Sequence, residues 1–323
     1  MSALLLDRLR SAGGWLARDR AAAALARQSK SLEQAVAELR ARGYVIDEDP
    51  DMGLRLQAEP DVLCPADLRR GLQTRIVGRE ILVRDRVTST NDVAWQLGEE
   101  GAEEGTVVFA EEQTAGRGRL GRCWWSPHGK GIWMSVLLRP VVGEELVPMT
   151  TIIGALAAAE AIRAATRLPA RIRWPNDVLI EEKKVAGVLV EARQTGGGRG
   201  LVLGIGVDVN ADDADMPPDV APVAVSLSQA AGERIHRLHL AQELLRRLDR
   251  WYQVELERDA DTINERWRSL SATLGRRIVL DEQGRRYEGT VADVDVRFGL
   301  ALRLSRGNVR TFRGEHVTVI EHG

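Results

Sequence analysis

Gln113-Thr114-Ala115-Gly116-Arg117-Gly118-Arg119-Leu120-Gly121-Arg122 decides between two classes of fold. Gly116, Gly118 and Gly121 carry the G-x-G-x-x-G spacing of a dinucleotide-binding turn, which in a doubly wound sheet joins a strand to a helix. A strand pattern does precede it, but Cys123-Trp124-Trp125-Ser126-Pro127 follows, and that run cannot open a helix. The dinucleotide reading therefore fails on context. What remains is a glycine-loosened loop with Arg117, Arg119 and Arg122 crowded into six residues. Fixed positive charges so close repel one another unless an anion is present, and guanidinium groups grip phosphate or carboxylate through paired bonds. The plainer alternative is an exposed basic turn.

Outward from this loop, residues 79–270 alternate strand and helix patterns. Strands are expected at Ile81–Arg84, Thr106–Ala110, Gly131–Leu138, Arg171–Trp174, Val185–Ala192 and Leu201–Val207, and helices at Asn91–Glu99, Met149–Thr166, Leu238–Glu255 and Ala260–Ser269. The glycine-rich turn Thr195–Gly200 joins two strands directly, which makes the sheet at least partly antiparallel and the fold class α+β. Beyond Leu274, short strands at Arg277–Leu280, Tyr287–Val294, Leu300–Leu304 and Val309–Arg313 are separated by Gly284, Gly299 and Gly307. Residues 271–323 thus read as a small SH3-like β-barrel.

Upstream, Leu4–Leu9 and Leu16–Leu25 read as helices, and a third starts at a cap, Ser29 or Ser31, and stops at Gly43. Tyr44–Ile46 and Leu54–Leu56 then flank the turn Asp49-Pro50-Asp51-Met52-Gly53. Three small helices and a hairpin over residues 1–62 spell a winged helix-turn-helix, and residues 63–78 a linker. A chain of 323 residues with 44% hydrophobic content accommodates such a multidomain layout. Its net charge of −2 gives no global attraction to nucleic acid or membrane. Apolar stretches such as Ile152–Ala159 fall far below the roughly 20 residues of a membrane span. Cys64 and Cys123 form neither a disulfide framework nor metal-ligand spacing, which points to a reducing, cytoplasmic compartment.

Four other segments carry chemical meaning. Ser89, Thr90 and Asn91 sit where a strand gives way to a helix, so their polar groups either cap that helix or converge on a small polar ligand. Trp174-Pro175-Asn176-Asp177 ends a strand abruptly and presents an amide and a carboxylate, as a simple turn or to orient a nucleotide, a metal ion or an amine. Lys183 and Lys184 lead into an apolar strand, where a lysine is a solvated turn residue or a stabiliser of developing phosphate charge. Gly204 and Gly206, inside a strand, suggest a bulge or a ligand pressed against the backbone.

In this order, Ser89-Thr90-Asn91, Gln113 with Gly116–Arg122, Trp174–Asp177, Lys184-Val185-Ala186-Gly187 and Gly204-Ile205-Gly206 closely resemble the bacterial biotin–protein ligases over residues 80–320. With the N-terminal segment, the whole resembles the bifunctional ligases that also repress the biotin operon. The resemblance implies a central class II synthetase-like mixed sheet and an ATP- and magnesium-dependent reaction. Biotin is activated as biotinyl-adenylate and passed to a lysine of a biotin carboxyl carrier protein of acetyl-CoA carboxylase. It also implies that Ser89, Thr90, Asn91 and Gln113 bind biotin, that Arg117, Gly118 and Arg119 order over its carboxylate and the phosphate, and that Lys184 contacts the activated carboxyl. Trp124, Gly187 and Leu189 would wall the pocket; Arg119, Arg122, Trp124, Asn176 and Asp208 would meet the nucleotide; Asp177 would position acceptor or metal. Related ligases pair through their central sheets, so a homodimer is expected. Two departures are Asp208, where the family typically has Asn, and Cys123, where a basic residue is common.

The resemblance places DNA reading on the third helix, at Ser29, Lys30, Ser31 and Gln34. Charge argues against it. Residues 1–60 hold nine basic and nine acidic residues, and Asp47, Glu48, Asp49 and Asp51 crowd the hairpin that should lie beside phosphates. The expectation is a retained module with operator binding weak or lost. The competing readings are a lipoate or octanoate ligase, which shares the core fold, and a non-enzymatic biotin-sensing regulator. The regulator would need a basic DNA-reading face and could dispense with Arg117, Arg119 or Lys184.

Overall fold

A computed structural model describes residues 3–25, 31–140, 146–195, 198–305, 307–314 and 317–322. The chain divides into two compact units, Met1–Val62 and Leu63–Gly323.

In the first unit, helices α1 (Ala3–Ala12), α2 (Arg18–Ala23) and α3 (Leu32–Ala41) accompany strands β1 (Trp15–Leu16), β2 (Val45–Asp49) and β3 (Gly53–Ala58), paired in the order β1-β3-β2. Leu5, Leu9, Leu16, Val36, Leu39, Ile46 and Leu54 form its core. The expected helix over 16–25 is shorter, because Leu16 pairs with Leu54 in the sheet. Gly53 is obligatory there: its φ is 101°, and a Cβ would lie 2.1 Å from the Leu16 carbonyl oxygen. Ser29 and Lys30 lie outside the described residues. Ser31 caps α3, accepting the Gln34 N–H while the Gln34 side chain accepts the Ser31 N–H, each at 3.2 Å. Of the four residues expected to read DNA, the two that the structure describes, Ser31 and Gln34, are thus engaged in a capping box. The hairpin acids also find partners: Arg55 holds Asp47 at 2.6 Å, and Arg18 and Arg40 share Glu48 at 3.2 and 2.9 Å.

The second unit is built on a seven-stranded sheet. Its strands are β4 (Ile81–Val87), β5 (Val107–Gln113), β6 (Gly131–Leu138), β7 (Arg171–Arg173), β8 (Asp177–Ile180), β9 (Lys183–Thr195) and β10 (Gly198–Asp208), in the order β4-β5-β6-β10-β9-β8-β7. Only β4 and β5 run parallel, joined by helix α5 (Thr90–Glu99); the other pairs are antiparallel, so the sheet is mixed. Strand β8 falls where the sequence reads only a turn after Trp174. A short hairpin there pairs Arg173 with Asp177.

Helices α4 (Pro65–Arg69), α6 (Leu146–Thr166), α7 (Leu227–Ala231), α8 (Arg237–Leu256) and α9 (Ala260–Leu270) complete this layer. Helix α6 is apolar enough over Val147–Thr166 to pass for a membrane span, a longer stretch than Ile152–Ala159 suggests. It is instead the core helix, packed on β9, β10 and α8 with Ile153, Leu156, Ala157 and Ile162 fully buried. The connector before β4 is pinned by Asp249 of α8, whose carboxylate accepts the backbone N–H groups of Arg75, Ile76 and Val77 at 2.8–2.9 Å. A second, antiparallel sheet follows: β11 (Arg277–Glu282), β12 (Arg285–Asp295), β13 (Gly299–Leu304), β14 (Val309–Phe312) and β15 (Val317–His322), ordered β14-β13-β12-β11-β15.

Between α6 and α8 lies a polar group that burial makes costly. Glu255 takes the Thr150 hydroxyl at 2.7 Å on one oxygen, while the other is buried without a partner. Burial pushes its pKa up to about 8 from an ordinary 4.5, with the Thr150 bond pulling the other way. The native state therefore keeps a proton that the unfolded chain sheds above pH 4.5, so this group's contribution to stability falls as pH rises from 4.5 to 8. Glu255→Gln, neutral at every pH, should melt several degrees above the parent at pH 8 and converge with it near pH 5, as read by calorimetry. Parallel pH profiles would contradict this.

Candidate functional site

One cleft of about 310 Å³ gathers Ser89, Thr90, Asn91, Gln113, Arg117, Gly118, Arg119, Arg122, Trp124, Asn176, Asp177, Lys184, Gly187 and Leu189 from segments far apart in the chain. Its walls also include Arg173, Met134, Gly204, Gly206 and, from β15, Val317 and Thr318. Asp208 does not line it. That side chain is buried at the end of β10, where desolvation pushes its carboxyl up to about 7 against the pull of the Lys184 ammonium. Lys183 is exposed, and Lys184 is the one of the pair that faces the cleft.

The closed end is uncharged. Ser89 is the N-cap of α5, so its hydroxyl serves the helix and the cleft wall together. Gln113, at the end of β5, accepts the Thr90 N–H and hydroxyl at 2.8 and 3.1 Å and donates to the Ser126 hydroxyl at 2.9 Å. The Ser135 hydroxyl lies 2.7 Å from Thr90 Oγ1 and 2.6 Å from Asn91 Oδ1. Gly204 makes room for this network, since a Cβ there would sit 2.5 Å from Asn91 Oδ1. Ser126 and Ser135 are invisible to motif reading because each lies in an ordinary-looking run.

An indole forms the next layer. Trp124 lies against Gly187 and Gly206, which are direct partners across β9 and β10. A Cβ on Gly206 would fall 2.4 Å from Trp124 Nε1, and one on Gly187 2.8 Å from its ring. Lys184 Nζ sits 4.8 Å from the ring centroid. The indole N–H is buried without an acceptor, a donor awaiting one.

The open end is cationic, yet its charges are largely matched. Arg117 pairs with both oxygens of Asp92 at 2.7 and 3.0 Å and with Glu191 at 3.3 Å. Hydrogen bonding from Arg117 holds the Asp92 carboxyl below the usual carboxylate range, and Asp92 in turn raises the Arg117 pKa. Arg119 donates to Asn176 Oδ1 at 3.2 Å and to the carbonyl oxygen of Gly314. Self-repulsion in the loop is thus relieved by the protein itself, with Asp92 and Glu191 as counter-ions that the sequence reading missed. Arg122, at the far end of the loop, is exposed. Asp177 receives Lys184 on one oxygen at 2.5 Å and Arg173 on the other at 2.8 Å. Burial alone would raise its pKa, but the two cations hold it lowered. Both oxygens of Asp177 are thus engaged by cations.

An uncharged polar end, an aromatic slot and a cationic mouth suit an elongated ligand with a neutral hydrogen-bonding head, an apolar body and an anionic tail. The fold and site belong to a known class. The chain is a member of the biotin/lipoate A/B protein ligase family, whose model matches residues 83–210. It is 34% identical over 273 residues to the bifunctional ligase/repressor BirA of Bacillus subtilis, covering 84% of each chain. It is 37% identical over 241 residues to the protein of that name from Bacillus spizizenii, covering 74% of each. A biotin protein ligase from Aquifex aeolicus, in complex with biotin and ATP, superposes with a TM-score of 0.66 at 26% identity, covering 75% of this chain and 99% of that one.

The slot is testable without a ligand. Gly206→Ala should push the indole outward and increase acrylamide quenching of tryptophan fluorescence, and the increase should vanish in a Trp124→Phe background. Equal quenching of the parent and Gly206→Ala would contradict the packing.

Proposed function

We propose that this chain is a biotin–protein ligase that activates biotin with ATP and transfers it to a lysine of a biotin carboxyl carrier protein. The observation that carries the reading is the polarity gradient of the cleft, from the Thr90–Gln113–Ser135 network through Trp124 to Arg117, Arg119 and Lys184. Biotin has a neutral ureido head, an apolar body and a carboxylate tail in that order.

In this reading Ser89, Thr90, Asn91 and Gln113 hold the head, and Gly187, Leu189 and Trp124 flank the body. Arg117, Gly118 and Arg119 face the carboxylate and phosphate, and Lys184 faces the acyl phosphate. A carboxylate oxygen attacks the α-phosphorus, the bond to pyrophosphate breaks, and a mixed anhydride forms. The carrier amine then attacks the acyl carbon, AMP leaves, and the amine's proton is lost. Two anions must meet, so the protein's task is charge neutralisation and positioning. Asn176, whose amide donates to the Val188 carbonyl at 2.8 Å while accepting from Arg119, fixes that arginine toward the nucleotide. Arg122 is a further nucleotide contact from the loop. Asp208 acts from behind Lys184. Magnesium suits a site of this kind, since it keeps several waters and is held largely by substrate phosphates. Among the described residues no group of three His, Cys, Asp or Glu is placed to hold a metal alone.

The reading extends to architecture. We assign 1–62 to a winged helix-turn-helix, 63–78 to a linker, 79–270 to the class II synthetase-like catalytic domain and 271–323 to an SH3-like barrel. Operator binding is weak, because Arg18, Arg40 and Arg55 are paired to hairpin acids and Ser31 and Gln34 to each other. We further propose a homodimer, and a cytoplasmic location where carrier and ATP are found.

Labelled biotin, ATP, magnesium and a carrier domain, incubated with the protein, should yield carrier labelled on one lysine. Arg119→Ala should slow transfer at least about tenfold through lost charge stabilisation. Binding of biotin without transfer would favour a sensor, and transfer of lipoate instead would overturn the substrate assignment.

A further inference from the structure

Among the described residues lining the cleft, Asp177 is the only carboxylate, and it is shared by two cations of unlike freedom. Arg173 faces it across the β7–β8 ladder, so backbone register sets that pair. Lys184 approaches from β9 on a long flexible stem and also hovers over Trp124. An ammonium held 2.5 Å from a carboxylate is largely neutralised by it and has little field left for a second anion. If Lys184 turns to a substrate anion, it leaves behind a partly buried carboxylate, and stripping such a group of a partner is unfavourable. A guanidinium locked on the other oxygen changes that balance. Its planar fork, set by the β7–β8 register, cannot follow the lysine. Asp208, the other carboxyl near Lys184, is not placed to take this part, since its burial favours the neutral form.

We propose that Arg173 is a positioning residue that frees Lys184 for the reacting anion by supplying the counter-charge to Asp177. The inference rests on the ligase reading and deepens it. Arg173 touches no reacting atom in this account; it acts through Asp177 on Lys184. The arrangement also explains why an arginine adjoins the Trp174-Pro175 turn: the β7–β8 hairpin sets it opposite the carboxylate it must hold.

Adenylate formation, measured as pyrophosphate release with biotin and ATP, tests this in the parent and its variants, with biotin affinity measured alongside by calorimetry. Arg173→Gln should lower the rate roughly 10- to 100-fold, the usual effect of losing a supporting partner, with biotin affinity changed less than about threefold. Arg173→Lys should recover most of the rate. In an Asp177→Asn background, where no carboxylate needs balancing, Arg173→Gln should cost less than about threefold, the non-additivity expected of coupled neighbours. That comparison is independent of whether the single variant is stable. A full-sized further loss in the Asp177→Asn background would overturn the inference and place Arg173 against the nucleotide itself. Parent-like activity of Arg173→Gln would overturn it too. An inactive parent protein would overturn the ligase reading and this inference with it.

Discussion

Among the described residues, five cations line one cleft, and like charges at such spacing would push the loop and sheet apart without compensation. For four of them the protein answers with its own anions and dipoles: Asp92 and Glu191 for Arg117, the Asn176 amide and the Gly314 carbonyl for Arg119, and Asp177 for Lys184 and Arg173. The site is therefore largely balanced before substrate arrives, and an anionic substrate enters by exchange. Binding substitutes one set of acceptors for another, which keeps its net driving force modest and leaves specificity to the uncharged end.

That uncharged end is made possible by removing side chains. Gly187, Gly204 and Gly206 occupy neighbouring strands in the middle of the sheet, where glycine weakens a ladder, and each is justified by what would strike its Cβ. The indole of Trp124 and the amide of Asn91 fill the relieved space. The mixed sheet matters here because its antiparallel β6-β10-β9-β8 run brings Ser135, Gly206, Gly187 and Asp177 onto adjoining strands. The second sheet adds the last component, since Gly314 and Val317 accept from Arg119.

Much of this was legible. The arginine loop, the Trp174–Asp177 turn and Lys184 stand out because charge, glycine and proline are conspicuous, and alternation along 79–270 implies an α+β sheet. Ser135, Glu191 and Arg173 escape notice because their roles depend on register, which a single strand pattern does not reveal. Strand β1 is two residues long and β8 four, too short for periodicity to declare them. Asp208 shows the converse: adjacent to a glycine motif, it reads as a site residue, yet it lies outside the lining, at the buried end of its strand.

The claim that the site is balanced before substrate arrives is tested most directly by tryptic cleavage within the arginine loop. It would be timed by mass spectrometry for the parent and Asp92→Asn, each with and without biotin and ATP. Without ligands Asp92→Asn should be cut several-fold faster, because cleavage follows the population of the open loop and Arg117 has lost its bidentate partner. With both ligands present the two should be protected alike. Equal rates without ligands would mean that the loop is not held by its own counter-ions, and the exchange picture would fall.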